Sequence, residues 1–157
     1  MRAASQAASP VSGLADHLGY WLCQVSNHVS HAFARALDGH GVTVAEWVVL
    51  RDLYDVDALA PSRLAAQLGL TRGAISKLAD RLVAKGFVAR HESSTDGRTH
   101  TLILTASGRR LVPALAALAD RNDAEFFGHL TADDRQTLAR VLEDIVARRG
   151  LAAVPID

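Results

Sequence analysis

The chain has a single cysteine, Cys23, which excludes an internal disulfide, and no cysteine or histidine spacing matches a zinc finger. It has no run approaching the ~18 uncharged apolar residues that a membrane span requires. The Ala/Ser-rich start contains only Arg2 as a charge and no apolar stretch of the secretory kind, which predicts a soluble, cytoplasmic protein. No nucleophile–base pair, phosphate loop or metal motif stands out, so neither an enzyme nor a bound cofactor or metal is expected. Net charge is missing as well, since 17 Lys and Arg balance 17 Asp and Glu.

That balance hides a segregation. Residues 1–60 carry 3 Arg/Lys and 6 Asp/Glu, residues 61–110 carry 9 and 3, and residues 111–157 carry 5 and 8. A basic middle between acidic ends predicts that the middle meets a polyanion and the ends serve another purpose. With 157 residues, 49% of them apolar and 22% charged, there is material for one ordinary domain with a real core.

Residues 1–12 are small and polar and predict a flexible arm. From residue 14 to 37 the large apolar side chains recur in steps of three and four (Leu14, Leu18, Trp21, Leu22, Val25, Val29, Phe33, Leu37), which predicts one long helix. Asp38-Gly39-His40-Gly41 ends it. Thr43 caps a second helix to Tyr54, with Val44, Trp47, Val48 and Leu53 expected on its buried side.

The basic third is the most informative. Pro61 opens a short helix through Leu68; Gly69 supplies a tight turn, Leu70 plugs it, and Thr71 caps the next helix, over 72–85. This is helix-turn-helix grammar. Ile75, Leu78, Leu82 and Val83 fall on the inner side of that helix, and Arg72, Ser76, Lys77, Asp80 and Arg81 mainly on the outer. Strand chemistry follows at 87–91 and 99–104, around the polar tip 93–98, and predicts a hairpin wing. Thr105 caps a helix to about Gly128, and Thr131 caps a last one over 132–149 with Leu138, Val141, Leu142 and Ile145 on its apolar face.

An exposed basic helix enters the major groove, where base edges present a readable pattern of donors and acceptors. Ser62, Thr71, Arg72, Gly73, Ser76, Lys77 and Arg81 are the candidate contacts on the helix-turn-helix. Arg98 at the wing tip suits the neighbouring minor groove, with Asp96 bracing its guanidinium.

At SRLAAQLGLTRGAISKLADRLVAKGFVAR (62–90), TDGRTH with its Asp96 and Arg98 pair, and LILTASGRRL (102–111), the sequence resembles the MarR family of winged helix-turn-helix regulators. The resemblance implies a mainly α fold with a small β-hairpin wing and a homodimer interlocked through the first and last two helices. The division is then a DNA-binding region at 43–105, a dimerisation region at 13–42 and 106–148, and a tail at 149–157. It also implies a palindromic double-stranded DNA operator, repression in the usual case, and modulation by a small aromatic or anionic effector in a crevice between dimer core and DNA-binding lobe.

Where that crevice is expected, the sequence offers Tyr20, Trp21, Gln24, His28, Trp47, Arg51 and Tyr54, a mix of aromatics and polar groups suited to an aromatic acid. Core packing is the competing role for Trp47. Cys23 opens an alternative, since MarR-type hydroperoxide sensors carry a reactive cysteine near this place. They also have a tyrosine one turn later, where this chain has Asn27. His28 and His31, three apart on one helix, fit either a metal-responsive site or ordinary solvated histidines. A further alternative of another class is a winged module that binds protein, which salt dependence separates from DNA binding.

Overall fold

The computed structural model describes residues 11–92 and 100–151. They form α1 (Leu18–Asp38), α2 (Val44–Tyr54), α3 (Pro61–Leu68), α4 (Arg72–Ala84), β1 (Val88–Glu92), β2 (His100–Leu104), α5 (Ala106–Phe127) and α6 (Ala132–Arg149). Four of these helices begin in the same way. Thr43, Thr71, Thr105 and Thr131 hold extended backbone, and each hydroxyl accepts the N–H three residues on, from Glu46, Ala74, Gly108 and Asp134, at 3.2, 3.1, 3.0 and 3.1 Å. Each bond satisfies one of the N–H groups that a helix start leaves without a partner.

The α3–α4 turn is the expected one. Gly69 has φ 64°, a left-handed conformation that costs glycine least, and Leu70 then donates its N–H to Ala65 O at 2.9 Å. The chain thereby reverses within three residues and sets α4 across α3. β1 and β2 pair antiparallel from Val88 opposite Leu104 to Glu92 opposite His100. Leu59 extends the sheet on the free edge of β2, exchanging two backbone hydrogen bonds with Leu102 at 3.0 and 2.9 Å.

One core lies behind α4. Leu50 and Leu53 of α2, Leu64 of α3, Ile75 and Leu82 of α4, and Leu102 of β2 are buried together, with Leu37 and Leu115 joining from α1 and α5. Burial of each such side chain contributes roughly 1.5–3 kcal/mol. Leu68 and Leu70 pack against this core from its margin.

Three expectations are corrected. The first helix does not start at residue 14: Leu14–Asp16 form a separate 3-10 turn, and His17 is extended before α1 begins at Leu18. Local polar bonds explain the break, because the Asp16 carboxylate accepts the Gly13 N–H at 2.7 Å and the Trp21 indole donates to Ala15 O at 2.9 Å. The buried side of α2 is Glu46, Val49, Leu50 and Leu53, while Val44, Trp47 and Val48 are only partly covered. Apolarity alone misplaced that face, since its first buried residue is a carboxylate. Finally, Ala79 takes the fully buried place on α4 that was expected of Val83, which is half-covered.

The helices at the two ends of the fold are different in kind. Leu37 is the one buried residue of α1, and α6 has none. Leu18, Trp21, Leu22 and Val25 on α1, and Leu138, Val141, Leu142, Ile145 and Val146 on α6, are all large apolar side chains left exposed. α5 continues through Pro113 and is tied to α1 by Asn122, whose amide donates to Val29 O at 3.2 Å.

Candidate nucleic-acid interface

Several polar and cationic residues of the basic third share the outer side of α4. Arg72 and Gly73 occupy the first turn of α4, and Ser76, Lys77 and Arg81 follow on its outer side, all exposed. Ile75, Leu78, Ala79 and Leu82 are buried on the opposite side, so the helix cannot roll without uncovering them. Ser62 and Thr71, at the starts of α3 and α4, are exposed as well, as is Arg63, which sequence reasoning passed over. Among the described residues no carboxylate pairs with Arg63, Arg72 or Lys77. Cations held free of acidic partners are available to phosphates, and the positive end of the α4 dipole adds to the same potential.

α4 is anchored at its far end. Glu46 is fully buried at the start of α2, where its Oε2 accepts the Thr43 N–H at 2.9 Å and Lys85 Nζ at 2.7 Å. Lys85 also donates to Gly41 O at 2.8 Å, joining the end of α4 to the α1–α2 corner. Arg81 Nε lies 3.2 Å from Glu46 Oε1. Burial alone would raise the Glu46 pKa, but the Lys85 hydrogen bond, the Thr43 N–H and the charges of Lys85 and Arg81 outweigh it and hold the carboxyl below its ordinary value. Thr-x-x-Glu before an apolar run is the sequence signal for this residue, and the reading of Thr43 as a cap stopped one step short of it.

The wing base is fixed to α4 and α5. Arg90 of β1 pairs with Asp80 of α4 at 2.6 Å. Thr105 donates its N–H to Phe87 O at 3.0 Å and its hydroxyl to Gly86 O at 2.6 Å. The wing-tip candidates Asp96 and Arg98 lie outside the described residues.

The residues expected around an effector fall into separate contacts. Tyr20 and Trp21 of α1 meet edge-on with ring centroids 5.2 Å apart; Tyr20 is partly covered, while Trp21, Gln24 and His28 are exposed. Trp47 packs edge-on against Phe33 at 6.3 Å, at the margin of the core. Arg51 pairs with Asp55 at 2.6 Å and lies 6.0 Å from the Tyr54 ring centroid. Arg109 of α5 comes to 5.5 Å from that ring and donates to Tyr54 O at 3.2 Å, a neighbour the sequence reading did not include. Next to Arg51, burial pushes the Asp52 carboxyl up; Arg51 opposes the shift and Asp55 adds to it. Cys23 is exposed on α1, and so are His28 and His31. Among the described residues no three His, Cys, Asp or Glu side chains gather as metal ligands, and no helix is long and apolar enough to cross a membrane.

Comparison with known proteins bears on the same segment. The model of the MarR family matches residues 40–99. The HTH-type transcriptional repressor Rv2887 of Mycobacterium tuberculosis is 34% identical over 135 residues, which span 85% of this chain and 97% of that protein. Its crystal structure in complex with salicylic acid matches with a TM-score of 0.63 at 32% identity, covering 82% of this chain and 96% of that one. CouR from Rhodococcus jostii RHA1, bound to p-coumaroyl-CoA, matches with a TM-score of 0.77 at 26% identity over 94% of this chain and 99% of its own. A mutant MarR from Escherichia coli, complexed with operator DNA, gives 0.75 at 27% identity over 82% and 93%. An exposed cationic helix carried on a helix-turn-helix, with this degree of likeness along most of the chain, has one reading: the chain belongs to the MarR family of DNA-binding transcriptional regulators.

Proposed function

We propose that this protein is a cytoplasmic repressor that binds a palindromic operator as a homodimer and loses affinity for it when a small aromatic or anionic effector binds. The observation that carries the reading is the outer side of α4, where Arg72, Ser76, Lys77 and Arg81 stand exposed on a helix whose inner side is locked into the core. Arg72, Ser76 and Lys77 address base edges, Ser62, Thr71, Gly73 and Arg81 address the backbone, and Arg98 of the wing, braced by Asp96, addresses the minor groove.

Two such lobes need a fixed separation. The exposed apolar sides of α1 and α6 supply it if they cover one another between two copies, which makes 13–42 and 106–148 the dimerisation region and 43–105 the DNA-binding region. The relatives support the two remaining parts: one is complexed with operator DNA, and others hold salicylic acid and p-coumaroyl-CoA. Nothing in this reading calls for catalysis.

Operator titration of variants tests it. Replacing Arg72 or Lys77 by Ala should change discrimination between operator variants by about 1–3 kcal/mol where a bidentate base contact is lost. Unchanged affinity in a folded Arg72→Ala/Lys77→Ala protein refutes the placement of α4 in the groove.

A further inference from the structure

We infer that Glu46 is a positioning residue for DNA binding, which holds the Arg81 guanidinium edge-on from beneath so that its outer nitrogens face a phosphate. The inference rests on the reading of Arg81 as a backbone contact. It begins with an oddity of burial: Glu46 has no exposed surface, yet its Oε1 has no hydrogen-bond partner. Oε2 is fully used by Thr43 and Lys85. The atom left over faces Arg81, whose Nε lies 3.2 Å away but off the hydrogen-bond line.

A carboxylate so placed has a cost unless something repays it, because a buried acceptor without a donor forfeits its hydration. Its neighbours indicate what it does. Arg81 is 55% exposed, and its pairing with Glu46 is made through Nε, which leaves its two terminal nitrogens outside that pair. Those nitrogens form the planar fork that suits a phosphate, and a fork fixed from behind loses less freedom on binding than a free side chain. A turn of Arg81 that brought its Nε–H onto Oε1 would satisfy the orphaned acceptor. Lys85, bonded to both Glu46 and Gly41 O, keeps the carboxylate from following Arg81 outward.

Glu46→Gln keeps the volume but leaves one oxygen where two are needed, so it cannot serve Lys85 and Arg81 together. Operator affinity of the full-length protein would be measured against salt for the wild type, Glu46→Gln, Arg81→Ala, Arg81→Lys and the double variant Glu46→Gln/Arg81→Ala, with folding checked by circular dichroism. Glu46→Gln should weaken binding roughly three- to tenfold and flatten the salt dependence by about one contact per protomer, as losing a phosphate contact does. Arg81→Lys should resemble Arg81→Ala, since an ammonium has no second edge for Glu46 to hold. The double variant should bind no worse than Arg81→Ala alone.

Additive losses, an unchanged salt slope in Glu46→Gln, or tighter binding with a steeper slope each overturn the inference. If Glu46→Gln does not fold, Arg81→Lys decides, and wild-type affinity in that variant sinks it. Should Arg81→Ala leave both affinity and slope untouched, the assignment of Arg81 to the DNA backbone fails as well. A loss in Arg81→Ala without one in Glu46→Gln removes only the role given to Glu46.

Discussion

Gly108 sits where α5 leaves the base of the wing, and it has no room for a side chain. A Cβ built there would fall inside the van der Waals surface of Phe87 O, and would lie 3.0 Å from its carbonyl carbon and 3.2 Å from its Cα. The obstacle is backbone that cannot rotate away, and it is held in place by the Thr105 N–H, which donates to the same oxygen at 3.0 Å. To reach ordinary contact the joint must open by about an ångström, which stretches that bond and the one from the Thr105 hydroxyl to Gly86 O. Overpacking of this sort costs about 1–3 kcal/mol. Alanine in a helix returns up to about 1 kcal/mol relative to glycine. Gly108→Ala should therefore be destabilised by roughly 1–2 kcal/mol, a fall of about 2–8 °C in the midpoint for a chain of this size. Gly73→Ala is the control, because a Cβ there meets nothing closer than Thr71 Oγ1 at 4.0 Å and should leave stability unchanged or raised. Thermal unfolding by circular dichroism at one protein concentration measures both. A Gly108→Ala protein as stable as Gly73→Ala would refute the claim that α5 and the wing base are in closest approach.

Three further outcomes are expected. The Glu46 carboxyl is held below the ordinary glutamate range, so its ionised form stabilises the fold fully above that range and the contribution is lost as pH falls through the depressed value. Denaturant unfolding should show the gap between wild type and Glu46→Gln constant near neutrality and closing as pH falls from the ordinary glutamate range through the depressed value; a gap that closes nearer neutrality contradicts the sign. Leu142→Asp/Ile145→Asp places charge on the exposed apolar side of α6 without touching a buried residue, so sedimentation should give half the wild-type mass with helicity retained; a variant that still dimerises moves the interface elsewhere. Salicylate should release operator from the wild type and less from Arg51→Ala or Trp47→Ala. Release by a hydroperoxide that depends on Cys23, with no effect of salicylate, favours the thiol alternative instead.

Much of the fold was legible because its punctuation is local. Four threonines each precede a helix and cap it through the N–H three residues on, and a hydroxyl one atom from the backbone can do little else there. Gly69 is left-handed where the turn was expected, and the cationic side of α4 follows from the period of Ile75, Leu78 and Leu82. What stayed hidden depends on partners distant in sequence. Glu46 is buried because Lys85, 39 residues on, meets its carboxylate, and no periodicity of apolar residues announces that. Leu59 joins the sheet only because β2 has a free edge beside it. The close approach at Gly108 involves a carbonyl, which has no sequence signature. Among the effector candidates, Arg51 and Tyr54 were both named from the sequence, but Arg109 reaches the same ring from another helix, 55 residues away.

These contacts also bear on how a ligand can act on DNA binding. α4 is joined to the α1–α2 corner through Lys85 and Glu46, to the wing through Asp80 and Arg90, and its C-terminal exit to α5 through Gly86, Phe87 and Thr105. Its inner side is packed into the core that also holds α2, α3 and β2. A helix fixed at so many points does not change its seat for the modest differential affinity that a small ligand supplies, typically 1–3 kcal/mol. α1 and α6 are the opposite case, with one buried residue between them. Motion of the winged lobe as a unit against those helices disturbs little of the core beyond Leu37, whereas reorienting α4 within the lobe breaks three ion pairs and uncovers Ile75, Leu78 and Leu82. A ligand that acts on DNA binding would therefore do so more economically through the carriage of the lobe than through α4 itself, and Tyr54 of α2 meets Arg109 of α5 where the lobe joins the rest of the chain.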